Sequence, residues 1–102
     1  MEEKGMNSKL KSKEFDYLFT AILSLETLDE CYDFFDDLCT VPELKALAQR
    51  IHVAKMLKDK HVYNDIVKET GASTATISRV NRSLMYGCNG YDPIFDRLEG
   101  KK

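Results

Sequence analysis

The chain has 102 residues and a mass of 11.7 kDa, a size that suits one domain with a single modest core. With 43% hydrophobic and 31% charged residues, 2 prolines and 5 glycines, the composition excludes collagen-like, low-complexity and wholly disordered proteins. The net charge of −2 is unevenly spread, because residues 1–40 carry 10 acids and 4 lysines whereas residues 41–102 carry 7 acids and 11 basic residues.

Apolar residues recur at helical spacing along most of the chain, and no segment has the alternating pattern of a strand. We predict a flexible N-terminal tail over residues 1–12 and a single all-α domain over residues 13–102, with about six helices. The residues expected on the inner face of the first helix are Phe15, Leu18, Phe19, Ile22 and Leu23. Those expected on the inner face of the second are Leu28, Cys31, Phe35 and Leu38.

Capping boxes predict where the second and third helices begin. Residues 27–30 (TLDE) and 40–43 (TVPE) each place a threonine three residues before a glutamate, so that each side chain can bind the other residue's backbone N–H. The third helix is predicted to be long and to end in the charged segment 58–60. The stripe that we expect to face its core is Leu44, Leu47, Ala48, Ile51, Ala54 and Leu57.

Three shorter helices are predicted in the rest of the chain. The first runs from about residue 62 to residue 69 and ends at Gly71, because glycine readily adopts the left-handed conformation that ends helices. The second runs from about residue 73 to residue 86, with Ser73 as its N-cap. The last starts at Asp92-Pro93 and carries Ile94, Phe95 and Leu98.

Residues 62–86 have the pattern of a helix-turn-helix, which needs a short helix, a sharp turn near a glycine and a second packed helix. We expect Ile66 and Val67 on the inner face of the first helix. The residues expected on the inner face of the second helix are Ile77, Val80 and Leu84. The outer face of the second helix carries Thr74, Ala75, Ser78, Arg79 and Arg82. No acidic residue occurs from Thr70 to Tyr91, so this face is locally basic despite the negative net charge.

A helix with these small residues and arginines suits the major groove of DNA. Small side chains let the backbone approach base edges, and hydroxyl groups can bond to several bases. We therefore expect Thr74, Ala75 and Ser78 to contact bases. Lys68, Ser73, Arg79 and Arg82 complete the predicted DNA-binding set, with Lys68 on phosphates and the two arginines on phosphates or a guanine edge. The alternative is an ordinary helical corner whose arginines and serines face water.

Two segments resemble the Trp repressor family. The segment 71–79 (GASTATISR), followed by Asn81 and Ser83-Leu84, is similar to its DNA-reading head, and 40–51 (TVPELKALAQRI) is similar to the segment that builds its effector pocket. The likeness covers roughly residues 28–86. It is closer to the small related proteins of the YerC/YecD type, which share 32–35 (YDFF) and Tyr86-Gly87.

The resemblance implies an intertwined all-helical homodimer with two reading heads that bind a palindromic operator in double-stranded DNA. The residues point weakly to the same assembly, because the first two predicted helices carry more aromatic side chains than one small chain can cover. These aromatic residues are Phe15, Tyr17, Phe19, Tyr32, Phe34 and Phe35.

The resemblance also implies an effector pocket. In the Trp repressor, tryptophan lies between two arginines, and those positions match Arg50 and Arg79; Thr40, Thr76 and Ser83 match other pocket positions. Where the family has a glycine after the second arginine, this chain has Val80, whose branched side chain would fill ligand space. We therefore expect either no effector or a small molecule other than L-tryptophan.

The same comparison shows a departure in the first helix of the motif. Basic and polar residues that support DNA binding in the family are replaced here by Tyr63, Asn64 and Val67. This change favours an alternative function, a helical adaptor that binds proteins and has kept the fold without specific DNA binding.

No pattern predicts a metal site or an enzyme. His52, His61 and the three cysteines lack the spacing of zinc ligands, and no acid, base and nucleophile converge. The odd cysteine number fits a reducing compartment. The longest uncharged apolar stretch, residues 17–25, is far shorter than the roughly 20 residues of a membrane helix, and no signal-peptide pattern occurs. The sequence thus predicts a cytoplasmic DNA-binding repressor that acts as a homodimer. It predicts no cofactor and no association with membranes.

Overall fold

The computed structural model describes residues 11–100, whose regular structure is entirely helical. The helices are α1 (Lys13–Leu23), α2 (Leu28–Leu38), α3 (Val41–Lys58), α4 (Tyr63–Thr70), α5 (Thr74–Tyr86) and α6 (Tyr91–Leu98). The prediction of an all-α chain with about six helices is confirmed for this part of the chain. All but the last two residues of the predicted tail over 1–12 lie outside the described residues.

The predicted helix ends are close to the observed ones. Ser73 caps α5, and Gly71 ends α4, as expected. The last helix begins at Tyr91 and not at Asp92. Pro93 is therefore the third residue of α6, where its missing N–H costs nothing because the first-turn N–H groups of a helix have no helical partner.

Contacts divide the chain into two compact units, one up to Lys45 and one from Ala46 onward. Within α1 and α2 of the first unit, no residue is buried. The second unit has a core formed by Val53, Ala54, Met56, Ile66, Ala72, Ile77, Val80 and Phe95. The single domain over residues 13–102 stays a prediction.

The predicted core stripe of α3 is partly wrong. Ala54 is buried as expected and Leu44 and Leu57 are half-buried, but Leu47, Ala48 and Ile51 are exposed. Val53 and Met56, outside the predicted stripe, are buried instead. The C-terminal half of α3 is apolar on more than one face, so periodicity alone could not identify the face that packs against the rest of the second unit.

Several other expected inner residues are exposed in the single chain. In the first unit these are Phe15, Phe19, Leu23, Leu28 and Leu38, whereas Cys31 and Phe35 are half-buried. In α6, Phe95 is buried but Ile94 and Leu98 are exposed. The helical spacing of these residues was predicted correctly, but the first unit has too few elements to cover its own apolar faces.

The capping box at the start of α3 is confirmed in both directions. The Glu43 N–H donates to Thr40 Oγ1 at 3.3 Å, and the Thr40 N–H donates to Glu43 Oε1 at 2.8 Å. At α2, the Glu30 N–H donates to Thr27 Oγ1 at 3.0 Å, but Glu30 Oε1 accepts from the N–H of Glu26 at 2.8 Å and not from that of Thr27. The return bond at α2 is thus offset by one residue, to the residue before the cap, while Thr27 still satisfies the Glu30 N–H of the first turn.

We expect Ile66→Ala to lower the free energy of unfolding by about 2–5 kcal/mol, because Ile66 is fully buried and its loss leaves a cavity in the core. Denaturant unfolding at a fixed protein concentration measures this change. Val62→Ala, at an exposed position, is the matched control and should stay within about 0.5 kcal/mol of the unchanged protein. Equal effects of the two substitutions would contradict the assigned core.

Hydrogen bonds from Thr40 to Glu43, first from its backbone N–H and then from its hydroxyl, lower the pKa of the Glu43 carboxyl from its ordinary value. The resulting stabilisation is complete above the pKa of the unfolded chain and is lost as the pH falls through the lower folded-state pKa. Carbon NMR should show Glu43 titrating below the ordinary range, and Thr40→Ala should move its pKa part of the way back. Titration of Glu43 at the ordinary pKa of a glutamate in both proteins would contradict this assignment.

Candidate nucleic-acid interface

A tight left-handed turn joins α4 to α5. Gly71 has a φ of 74° and its N–H donates to the Val67 carbonyl at 2.8 Å. The Thr70 hydroxyl donates to the Ile66 carbonyl at 2.7 Å and accepts from the Ala72 N–H at 3.1 Å. Glycine is needed here for its backbone conformation, since an added Cβ would meet nothing within 4 Å but would be strained at this φ.

Gln49 adds a contact that the sequence did not indicate. Its side-chain Nε2 donates to the Thr70 carbonyl at 3.1 Å in a partly buried position. Helical periodicity identifies apolar faces, but it does not show that a polar residue of α3 will meet the end of a helix 21 residues later. No local signal in the sequence could have found this residue.

The inner faces of the two motif helices pack as predicted. Ile66 of α4 and Ile77 of α5 are fully buried, and Val80 is 2% exposed. Val67 and Leu84 are half-buried against the same core. This packing holds α4 and α5 together by burial of apolar surface and turns the other side of α5 outward.

The outer face of α5 is exposed at every predicted position. Its residues are Thr74, Ala75, Ser78, Arg79 and Arg82. The helix starts from Ser73, whose Oγ accepts from the Thr76 N–H at 3.1 Å and also lies 3.1 Å from the Thr76 hydroxyl. The Ser73 side chain therefore serves as the cap, and no acid occupies the first turn of α5.

Two lysines near the C-terminal end of α3 are paired with acids, whereas the cations of the motif belong to no ion pair among residues 11–100. Lys55 forms ion pairs with Asp59 at 3.3 Å and with Glu99, and Lys58 pairs with Asp92 at 2.7 Å. The hydrogen bond to Glu99 raises the pKa of Lys55, and that to Asp92 raises the pKa of Lys58.

Lys68, Arg79 and Arg82 are exposed, and none of them belongs to an ion pair in residues 11–100. Their charges are therefore available to an anionic partner. Asp65 and Glu69 are also exposed on α4, which makes the first motif helix less basic than the second.

The residues of the candidate effector pocket occupy different environments. Thr40 belongs to the first unit, and its hydroxyl donates to Glu43 Oε1 at 3.0 Å. In the second unit, Arg50, Arg79 and Ser83 are exposed and Thr76 is half-buried, whereas Val80 lies in the core. The pocket itself stays a prediction.

The part of the chain that the structure describes has neither a candidate metal site nor a candidate membrane span. Within residues 11–100, no group of three or more His, Cys, Asp and Glu side chains is placed to hold a metal ion. None of the described helices combines the length and apolarity needed to cross a membrane.

Known proteins with similar sequences and structures are Trp-repressor-like. Residues 13–99 match the Trp repressor protein family. A Bacillus subtilis (strain 168) protein, the uncharacterized YerC, is 57% identical over 91 residues, covering 89% of this chain and 88% of YerC.

Two crystal structures are also similar. A TrpR-like protein from Eubacterium eligens superposes with a TM-score of 0.88 at 58% identity, covering 93% of this chain and 98% of that one. A candidate Trp repressor from Staphylococcus aureus superposes with a TM-score of 0.87 at 55% identity, covering 90% of this chain and 92% of that one. The resemblance seen in the sequence is confirmed, and the chain belongs to the Trp repressor family.

Proposed function

We propose that this protein is a sequence-specific DNA-binding transcriptional regulator, a repressor, that uses α4 and α5 as its helix-turn-helix. The observation that carries the proposal is the outer face of α5, which is exposed, free of acids and bears Arg79 and Arg82 outside any ion pair of the described residues. Membership of the Trp repressor family supports it, and regulation, not catalysis, is the activity it implies.

In the proposed complex, the N-terminal part of α5 enters the major groove. Thr74, Ala75 and Ser78 lie on its exposed face, where hydroxyls can bond to base edges and the Ala75 methyl can meet a thymine methyl. Arg82 and Lys68, with Arg79, would contact phosphates. The unpaired N–H groups of the first turn of α5 add partial positive charge toward the backbone.

We propose that the active form is a homodimer on a palindromic operator. In the first unit, Tyr17 is 81% exposed, Leu23 84% and Tyr32 67%, and α1 and α2 contain no buried residue. Apolar side chains left in water at this density need a covering partner, and a second copy of the chain supplies one with closed symmetry. Two DNA-reading heads on one dimer also bind the operator with higher affinity than either head alone.

The site for the second copy includes a groove of about 220 Å³ lined by Leu28, Cys31, Tyr32, Phe35 and Leu44. All five lining residues belong to the first unit. A groove with this lining suits apolar side chains of a partner helix. We place the protein in the cytoplasm, where its regulated DNA lies.

A second candidate function is a protein-interaction adaptor without specific DNA binding. The exposed Asp65 and Glu69 of α4 favour it, because carboxylates weaken attraction to phosphates. The exposed apolar residues of the first unit would then bind a different protein.

A selection of duplex fragments from the source genome distinguishes these functions. Purified protein would be compared with Ala75→Glu, which places a carboxylate on the outer face of α5 while leaving the core unchanged, and each protein would be run with and without mixed amino acids. Enrichment of a palindrome with half-sites about one helical turn apart, lost in Ala75→Glu, is the expected result. If no sequence is enriched in any arm, the specific repressor is excluded and the adaptor is favoured.

We expect Arg82→Ala to weaken binding to every duplex and to lower the slope of log affinity against log salt concentration by about one unit. Arg82 would then be one phosphate contact. Arg97→Ala is the matched control, because it removes the same exposed charge from α6, outside the motif. Salt titrations of binding should leave its slope unchanged. An unchanged slope in Arg82→Ala as well would remove Arg82 from the contacts.

We expect calorimetry to detect no binding of L-tryptophan. Val80 is 2% exposed and packed in the core, at the position where the resemblance places the glycine of the family's pocket. Our proposal is therefore that the effector is absent or is another small molecule. Heat of binding at micromolar L-tryptophan would overturn it, and Val80→Gly would then be expected to strengthen that binding.

A further inference from the structure

Gln49 of α3 reaches the turn that precedes α5, and its Nε2 donates to the Thr70 carbonyl at 3.1 Å. We infer that Gln49 is a positioning residue, whose hydrogen bond fixes the turn and so sets the direction in which α5 leaves it. The inference deepens the proposed function and rests on it where DNA is concerned, since α5 is the proposed recognition helix.

The Thr70 carbonyl needs a partner from outside its own helix. Thr70 is the last residue of α4, and the last carbonyls of a helix have no helical N–H to accept from. The hydrogen bond lies in a partly buried position, where a carbonyl without a partner costs free energy. Gln49 therefore satisfies a group that the turn itself leaves open.

Thr70 is also the residue through which the rest of the turn is held. Its hydroxyl bonds to the Ile66 carbonyl and to the Ala72 N–H, and Ala72 is 2% exposed. Ser73, the cap of α5, follows directly. Fixing the Thr70 peptide from α3 thus constrains the few backbone angles that connect α4 to α5.

Gln49 lies next to the part of α3 that is anchored in the core. It lies four residues before Val53, on the same side of the helix, and Val53 and Ala54 are fully buried. Burial of Ile66 and Ile77 brings the motif helices onto the core, but apolar burial has no preferred direction. A hydrogen bond does have a preferred direction, so the bond from Gln49 restricts an orientation that apolar packing alone does not fix.

The test uses two substitutions of similar size. Gln49→Met keeps the length of the side chain but removes the donor, and Gln49→Glu also places a carboxylate against the Thr70 carbonyl. His52→Met, on the same helix with an exposed side chain, is the control. Two quantities are measured for the unchanged protein and for each of the three variants. They are the affinity for the selected duplex and the native-state amide exchange rates without DNA.

Without DNA, we expect the Gly71 and Ala72 amides to exchange about five- to tenfold faster in Gln49→Met and faster still in Gln49→Glu. The Val53 amide should keep its rate, as should all three amides in His52→Met. Unchanged exchange at the turn would overturn the inference. Equal acceleration at Val53 would also overturn it, because Gln49 would then contribute only to global stability.

With DNA, we expect affinity to fall about five- to tenfold in Gln49→Met with the salt slope unchanged, since no phosphate contact is removed. Unchanged affinity together with faster exchange would overturn the link to DNA binding. If the unchanged protein selects no sequence, the proposed function fails, and the exchange measurement alone decides whether Gln49 positions α5.

Discussion

The left-handed turn at Gly71 is the constraint on which the candidate site depends. Gly71 adopts a φ of 74° and only three residues separate α4 from α5, so that the two helices can bury Ile66 and Ile77 in the same core. The turn cannot be held by glycine alone, because glycine is the least restricted of residues. Thr70 supplies the hydrogen bonds around it, and Gln49 ties it to α3. The outer face of α5 is exposed because this turn and this core fix which side faces inward.

The distribution of ion pairs explains how a chain with net charge −2 can present a basic helix. Asp59 and Asp92 are held by Lys55 and Lys58 of α3, so part of the negative charge of the second unit is neutralised within it. Exposed ion pairs of this kind add little stability. Their effect here is on the local field, because screening at cell salt limits each charge to about 8 Å. Arg79 and Arg82 belong to no ion pair among residues 11–100, so their charges are available to an anionic partner.

What the sequence predicted and what it missed follow from the range of the interactions. Caps and turns involve neighbouring residues, so short sequence patterns were enough to predict them. This holds for the Ser73 cap, the turn at Gly71 and the Thr40–Glu43 box. The inner face of α5 was found because Ile77, Val80 and Leu84 keep a regular helical spacing over about two turns. The covered face of α3 was partly wrong, and Gln49 was missed, because both depend on which distant segment packs there. The excess of aromatic residues in α1 and α2 indicated that one chain could not cover them all, but helical spacing did not tell which of these apolar residues would be exposed.

Val80 occupies the position where the resemblance places a glycine of the family's effector pocket. Its side chain lies in the core with Ile77, and full burial of a valine contributes roughly 1.5–3 kcal/mol. A glycine at this position would leave that space open and would weaken α5, since glycine costs about 1 kcal/mol within a helix. In a protein that needs a ligand to order its recognition helix, such a weakness is useful because binding then changes the helix. In this chain, the left-handed turn at Gly71 and the burial of Ile77 and Val80 hold α5 against the core. This built-in order supports the proposal that α5 is held ready for DNA without tryptophan.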